Sequence, residues 1–182
     1  MTRNVLVLGP DGDLSDAICR RLAKLDYDAS AARKDAKPGG HGSLHRLLKK
    51  YEEDGRPIDA CISHTPMSFE LLTELAAGMA QRGWGRIVEI ELTDGRGAEA
   101  QAERRIGQQD VAKLASQLRS RGVTINTIVS AAQAGGASAA QPASGKLSKM
   151  EEIAGLAVYL VSEEAGFVSG ARIAFDVGRR LD

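Results

Sequence analysis

Val5-Leu6-Val7-Leu8, followed by Gly9 and then by apolar residues at helical spacing, decides the fold class of this chain. Four consecutive apolar residues predict a strand that is buried on both faces of a sheet. The apolar stripe that follows predicts a helix with one buried side, and Asp13 is positioned to cap it. Its members are Leu14, Ala17, Ile18, Leu22 and Leu25. A strand followed by such a helix is the unit from which parallel α/β sheets are built.

The same alternation of short apolar runs and helical segments continues to the end of the chain. Further strands are predicted at Asp28–Ala32, Ala60–Ser63, Ile87–Ile90, Val123–Val129 and Ile173–Phe175. Helices are predicted over Ser43–Asp54, from a Thr65-Pro66 start, before Gly122, and after a capping box of Ser148 and Glu151. Residues 130–144 contain only Ser, Ala, Gly, Gln and Pro, which predicts a flexible loop over 130–148. We therefore expect one α/β domain over residues 1–182.

Composition excludes several classes of function. The chain has 182 residues, of which 43% are hydrophobic, so it is long enough to bury a single core. Its 24 basic and 24 acidic side chains balance and only 4% of residues are aromatic, so we expect no nucleic-acid partner. The apolar run Val5–Leu8 is too short for a signal peptide and no run approaches a membrane span, which predicts a cytoplasmic protein without a membrane partner.

Motifs for metal binding and hydrolysis are absent from the sequence. Cys19 and Cys61 lack metal or redox spacing and are expected to be structural. His41 and His45 are four apart, but Gly42 and Ser43 predict that the helix begins between them, so no metal site is expected there. No G-x-S-x-G, Gly-Lys-Ser/Thr phosphate loop or H-E-x-x-H occurs.

Several stretches resemble the short-chain dehydrogenase/reductase family. Three stretches resemble the C-terminal part of the family's sequence: Glu151–Ser162, Ala165–Gly170 and Asp176-Val177-Gly178. Three others resemble the family's fourth, fifth and sixth strands: Ile58–Ile62, Gly85–Ile90 and Gly122–Asn126. The resemblance implies a Rossmann-type doubly wound parallel sheet. The segment between the second strand and the Ser43 helix is too short for the family's third helix and strand, so we expect that strand and part of the helices to be deleted.

The family binds its cofactor at a T-G-x-x-x-G-x-G loop, and this chain departs from it. The aligned stretch is Leu8–Ser15, in which Gly9 is retained while Asp13 and Ser15 replace the later glycines. A shift of one residue would bring Gly12 into the pattern. The Asp13 carboxylate is expected to occupy the N–H groups that otherwise hold phosphate. The sequence therefore predicts that this chain binds neither NAD nor NADP.

The family's catalytic residues are also missing. Its serine aligns with Leu92, and its Tyr-x-x-x-Lys pair aligns with Arg105 and Gln109, or with Ala100 and Arg104 if the preceding loop is shorter. His64 lies in the stretch Ser63–Pro66 that replaces the family's N-N-A-G segment, without an evident carboxylate to orient it. We expect no catalytic residue in this chain.

These departures lead to the hypothesis of a non-catalytic subunit that assembles with an active homologue, as a heterotetramer in which the partner binds NAD or NADP. Inactive partners occur in the family, which makes an acyl-CoA-type alcohol dehydrogenase of aromatic degradation one candidate for the complex. The expected interface consists of Met150, Ile153, Ala154, Ala157, Leu160, Phe167, Ile173 and Phe175.

Two glutamates and two alternative functions complete the predictions. Glu89 and Glu91 share one face of a buried strand, and we expect Arg104 or Arg105 to pair with at least one of them. The first alternative is a divergent NAD(P)-dependent oxidoreductase that uses His64, Glu91 or Arg104. The second is a ligand-binding or regulatory domain that functions alone.

Overall fold

The structure is a computed structural model, and it describes residues 2–32, 41–93, 109–131 and 149–175. Strands and helices alternate along the described chain. The strands are β1 (Asn4–Leu8), β2 (Asp28–Ala32), β3 (Ala60–Ser63), β4 (Gly85–Thr93), β5 (Val123–Ala131) and β6 (Arg172–Phe175). The helices are α1 (Asp13–Ala23), α2 (His41–Glu53), α3 (Phe69–Arg82), α4 (109–118) and α5 (Lys149–Leu160), with a 3₁₀ turn at Arg119–Arg121.

The six strands form one parallel sheet in the order β2-β1-β3-β4-β5-β6. The order reverses between β1 and β3, and a crevice opens beyond the carboxyl ends of strands at such a point. Within the described residues β2 is the edge strand, as expected for a sheet without the family's third strand. The predicted single-domain, doubly wound α/β fold is confirmed.

Helices cover both faces of the sheet and produce two hydrophobic cores. One core joins the sheet to α1 and α5, and its fully buried members include Ile18, Leu22 and Ile153. The other joins the sheet to α2, α3 and α4 through residues such as Leu72 and Met79. Strand β1 lies between the two cores, and its residues Val5 to Leu8 are apolar and buried on both faces, as the sequence predicts.

Strands β4 and β5 are longer than the sequence predicts. Pairing continues to Leu92 with Ser130 and to Thr93 with Ala131. The predicted loop over 130–148 is therefore wrong at its first two residues, which belong to β5 because β4 offers them backbone partners. The remainder, 132–148, lies outside the described residues.

Three predicted helix starts are wrong. Asp13 is the first residue of α1 and not its cap, since Gly12 occupies the cap position with φ 146° and no side chain caps the helix. Helix α3 begins at Phe69 and not at Thr65-Pro66, because the Ser68 hydroxyl accepts a hydrogen bond from the N–H of Leu71 at 3.3 Å. Helix α2 begins at His41, two residues before the predicted start, and Ser148 lies outside the described residues.

Half of the predicted interface belongs to the core of the subunit itself. Helix α5 packs on α1 and the sheet, and this buries Ile153, Ala154, Ala157 and Leu160 to 1% exposure or less. Met150, Ile173 and Phe175 are partly buried against the same core. Only Phe167, which is 68% exposed, presents the large apolar surface that a partner needs. The predicted interface is therefore wrong for the four buried residues, because the wide apolar surface of α5 packs against both α1 and the sheet.

None of the helices in the described part of the chain is both long enough and apolar enough to span a membrane.

Candidate functional site

His64 lies directly against Gly9 at the point where the strand order reverses. Leu8 and Ser63 are partners at the ends of β1 and β3, and the His64 N–H donates to the Leu8 carbonyl at 2.9 Å. The next residues, Gly9 and His64, therefore face each other. A Cβ added to Gly9 would lie closer than 3.0 Å to the Nε2, Cε1 and Cδ2 atoms of the imidazole. The ring fills the space that a side chain at Gly9 would need.

A hydrogen bond to Ser15 holds the imidazole in this position. The Nε2 atom of His64 lies 2.8 Å from the Ser15 hydroxyl, which donates to the Pro10 carbonyl at 3.0 Å. Because a hydroxyl has one proton, this arrangement places the neutral ring's proton on Nε2. Burial lowers the pKa of His64, which favours the neutral ring. Nε2 is then a donor and cannot act as a base.

The cofactor loop is filled by a different residue from the one predicted. Asp13 makes no capping hydrogen bond to the start of α1, so the expected occupation by its carboxylate is wrong. The imidazole beside Gly9 and the side chain of Ser15 occupy the loop instead. A dinucleotide phosphate that approached Gly9 from this side would have to displace His64. His64 reaches this position because β1 and β3 pair up to Leu8 and Ser63, which neither segment of the sequence indicates alone.

A cleft of about 500 Å³ opens beside His64, at the carboxyl side of β3 and β4. Its walls come from the segment 64–67, α3, β4, β5, α4 and the turn before β6. Leu92, the residue at the family's serine position, is 40% exposed and lines this cleft. Apolar lining residues also include Met67, Phe69, Leu72 and Val111. The cleft has the size of a small-molecule site, but no hydroxyl stands at the position of the serine.

Two carboxylates and one guanidinium supply the charges of the cleft. Arg172 at the start of β6 binds Glu91 through two hydrogen bonds of 2.8 Å each. Glu89 accepts a hydrogen bond from the Met67 N–H, and burial followed by the nearby charge of Glu91 raises the pKa of Glu89. Both glutamates face the cleft, as their spacing on the strand predicts.

Sequence reasoning named different arginines as partners of these glutamates. Arg104 and Arg105 lie outside the described residues, so that pairing stays a prediction. Arg172 was missed because β5 separates its strand from β4 in the sheet. The register nevertheless pairs Thr127 with both Glu89 and Arg172, which brings Arg172 to the level of the glutamates.

The other candidate residues do not join this site. Gln109 is exposed at the described start of α4, while Ala100 lies outside the described residues. His45 pairs with Glu74 on the surface at 2.8 Å, and no cluster of metal ligands occurs among the described residues. Cys19 and Cys61 are free thiols, and burial raises the pKa of each.

Comparisons with known proteins point to reductases. No protein-family model matches the chain. It is 30% identical to nodulation protein G of Azospirillum brasilense, covering 95% of this chain and 96% of that protein. The alignment runs over 238 positions, more than this chain contains, so the relative has segments that are absent here.

Two shorter matches are to acetoacetyl-CoA reductases. The identity is 32% for the protein of Cupriavidus necator and 29% for that of Rhizobium meliloti, over 62% and 61% of this chain. These alignments span about half of each reductase, 52% and 53%.

Solved structures share the fold at low sequence identity. One is YwfH, an NADPH-dependent reductase involved in bacilysin biosynthesis, with a TM-score of 0.76, 18% identity and coverage of 98% of this chain and all of the other. Another, from Bacillus thuringiensis, is described as a 3-oxoacyl-reductase and gives a TM-score of 0.74 at 15% identity, covering 97% and 99% of the two chains.

Proposed function

The chain belongs to the short-chain dehydrogenase/reductase family, and we propose that it is a non-catalytic member that serves as a subunit beside an active homologue. The observation that carries this proposal is the contact of His64 with Gly9. Glycine at this loop lets a backbone approach the cofactor closely, and here the chain's own imidazole takes that space. The hydrogen bond to Ser15 keeps it there.

The cleft supports the same proposal. Leu92 has no proton to exchange with a substrate oxygen, and the Nε2 atom of His64 is engaged with Ser15. Among the described residues of the cleft, the remaining ionisable groups are Glu89 and the Glu91–Arg172 pair. None of them reproduces a tyrosine whose pKa is lowered by a lysine. In this tautomer the unprotonated nitrogen of His64 is Nδ1, so a displaced mechanism through His64 would have to use that atom.

We propose an active reductase of the same family as the partner, with NAD or NADP bound to that partner. The acetoacetyl-CoA reductases among the relatives favour a partner that acts on acyl-CoA substrates. Tyr159 and Phe167, which are 43% and 68% exposed, are the apolar side chains near α5 that remain available for the contact. This surface replaces the buried face of α5 in the interface proposal.

Dinucleotide titration tests the absence of a cofactor. We expect no stabilisation by millimolar NAD, NADH, NADP or NADPH in a thermal unfolding assay. A bound ligand at one hundred times its dissociation constant would stabilise the chain by about 2.7 kcal/mol. Saturable stabilisation of that size would refute the non-catalytic assignment.

Co-expression with an active family member of the same organism, followed by native mass measurement, tests the partner. We expect a heterotetramer, and we expect Phe167→Ser to weaken it without lowering the free energy of unfolding. Leu25→Ser removes a leucine that is 55% exposed in the turn after α1, and serves as the matched control. A chain that stays monomeric beside every such homologue would contradict this part of the proposal.

A further inference from the structure

We propose that the cleft beside β4 binds a small apolar molecule that carries a protonated amine, with Glu89 as its counter-ion. The inference rests on the proposed function in one respect, which is that no nicotinamide competes for this space. It goes beyond that function because a non-catalytic subunit would then have a binding site for a ligand of its own.

The walls of the cleft fit an apolar body. Side chains of Met67, Leu72, Leu92 and Val111 line it, and the exposed ring of Phe69 stands at its edge. A volume of about 500 Å³ accommodates an aromatic ring system with a short side chain. Burial of such a ring against these side chains supplies affinity without specificity for charge.

The charges of the cleft favour a cation. Arg172 is engaged in two hydrogen bonds with Glu91, so that pair contributes little net charge. Glu89 receives one N–H from Met67, and the residues that the structure describes supply no cation to it. A carboxylate can accept more hydrogen bonds than the one that Met67 donates to Glu89. Partial burial of a carboxylate without a counter-ion also costs solvation free energy. An ammonium group provides both the charge and the missing donors.

The same arrangement disfavours anions. A carboxylate or phosphate in the cleft would meet the charge of Glu89, and the only guanidinium that the described lining contributes is already paired with Glu91. His64 lines the cleft as well, and burial favours its neutral form. The geometry therefore selects amines over the acids and phosphate esters of similar size.

Isothermal titration with three indoles tests the charge preference. Tryptamine carries the ammonium group, 3-methylindole is neutral, and indole-3-propionate is an anion. We expect saturable binding of tryptamine, with binding of the other two weaker by tenfold or more, since a hydrogen bond to a charged group changes affinity by about that factor. Glu89→Gln preserves the shape of the side chain and should weaken tryptamine binding at least tenfold. Glu53→Gln changes an exposed carboxylate on α2 and should leave binding unchanged.

Circular dichroism of each variant shows whether the fold is retained, and Phe69→Ser at the exposed edge provides a second variant that weakens all three indoles. Equal tryptamine binding to Glu89→Gln and to the parent chain would overturn the proposal. So would tighter binding of indole-3-propionate, or absence of tryptamine binding. Binding that is gained only in the Arg104→Ala, Arg105→Ala double variant would also overturn the proposal, because the chain's own arginines would then neutralise Glu89. Dinucleotide titration is a separate measurement, so its failure is distinguishable from these outcomes.

Discussion

Substitution of Gly9 by alanine tests the contact on which the proposed function depends. The new Cβ would lie closer than 3.0 Å to three atoms of the His64 ring, so the ring must move. Its movement breaks the 2.8 Å hydrogen bond to Ser15, which costs about 1 kcal/mol. Displacement of the ring from a packed position costs about another 1–2 kcal/mol. Alanine has less conformational freedom than glycine in the unfolded chain, which stabilises the folded chain by about 0.5 kcal/mol. The sum is a decrease of roughly 2 kcal/mol in the free energy of unfolding for Gly9→Ala.

The cost should disappear when the imidazole is removed first. In a His64→Ala background the Cβ that Gly9→Ala introduces meets no ring, and the substitution should change stability by about 0.5 kcal/mol or less. The double-mutant cycle then gives a coupling energy of about 2 kcal/mol, within the range for residues in direct contact. Urea unfolding followed by far-ultraviolet circular dichroism measures all four chains, and thermal midpoints should shift by about 2–4 °C per kcal/mol.

Gly12→Ala is the matched control within the same loop. Nothing lies within 4 Å of a Cβ at Gly12, but its φ of 146° strains any other residue. Gly12→Ala should therefore destabilise the chain equally with and without His64. Gly9→Ala could instead lower the free energy of unfolding equally in the parent chain and in His64→Ala, to within about 0.5 kcal/mol. In that case the imidazole would not fill this space, and His64 would not exclude a bound dinucleotide.

Three further predictions concern other parts of the structure. Ala157→Arg should lower the free energy of unfolding by about 3–5 kcal/mol, because it forces a charge into a fully buried position of α5. Tyr159→Arg on the exposed side should change it by less than about 0.5 kcal/mol; urea unfolding compares the two variants, and similar values would contradict the burial of Ala157. Asn126→Ala should cost about 2–3 kcal/mol in the same assay, because it leaves the Val168 carbonyl and the Ala171 N–H without their partner, and a cost near zero would refute this role. Since burial raises the pKa of Glu89 in the folded chain, the free energy of unfolding should fall as the pH rises from 4.5 through the folded pKa. Glu89→Gln should therefore be more stable than the parent chain at pH 7 and nearly equal to it at pH 4. A difference that does not depend on pH would contradict the burial of this carboxylate.

The sheet was predictable because its signals are local. Each strand is a short apolar run bounded by turn residues, and burial on both faces requires such runs wherever the chain crosses the sheet. Val5–Leu8 and Ala60–Ser63 are examples in which prediction and structure agree closely. The ends of β4 and β5 were less predictable, because Ser130 joins a strand only through its partner Leu92, and pairing between distant segments leaves no trace in either segment alone.

Some residues of the site were predictable from the sequence, whereas their partners in the structure were less so. Leu92 in place of the serine follows from alignment, and the structure places Leu92 in the cleft. The position of His64 depends on the pairing of β1 with β3, and the Glu91–Arg172 pair depends on an intervening strand. The predicted interface on α5 was wrong for a similar reason. An apolar stripe in the sequence predicts a buried helix face, but it does not distinguish burial by a helix of the same chain from burial by a partner.

The position of the site residues explains how they can vary while the fold is retained. Residues inside the sheet, such as Ile87 and Ile125, are fully buried, so substitution there creates cavities or strain. His64 and Leu92 lie at the carboxyl edge of the sheet, where both border the cleft. Exchange of a side chain that borders the cleft changes the lining of the cleft without opening a cavity inside the sheet. The edge still has to satisfy its own polar groups, which His64 achieves through Ser15, whereas Glu89 has one backbone donor and no cation among the described residues. That difference makes Glu89, and not His64, the group through which the cleft can still recognise a ligand.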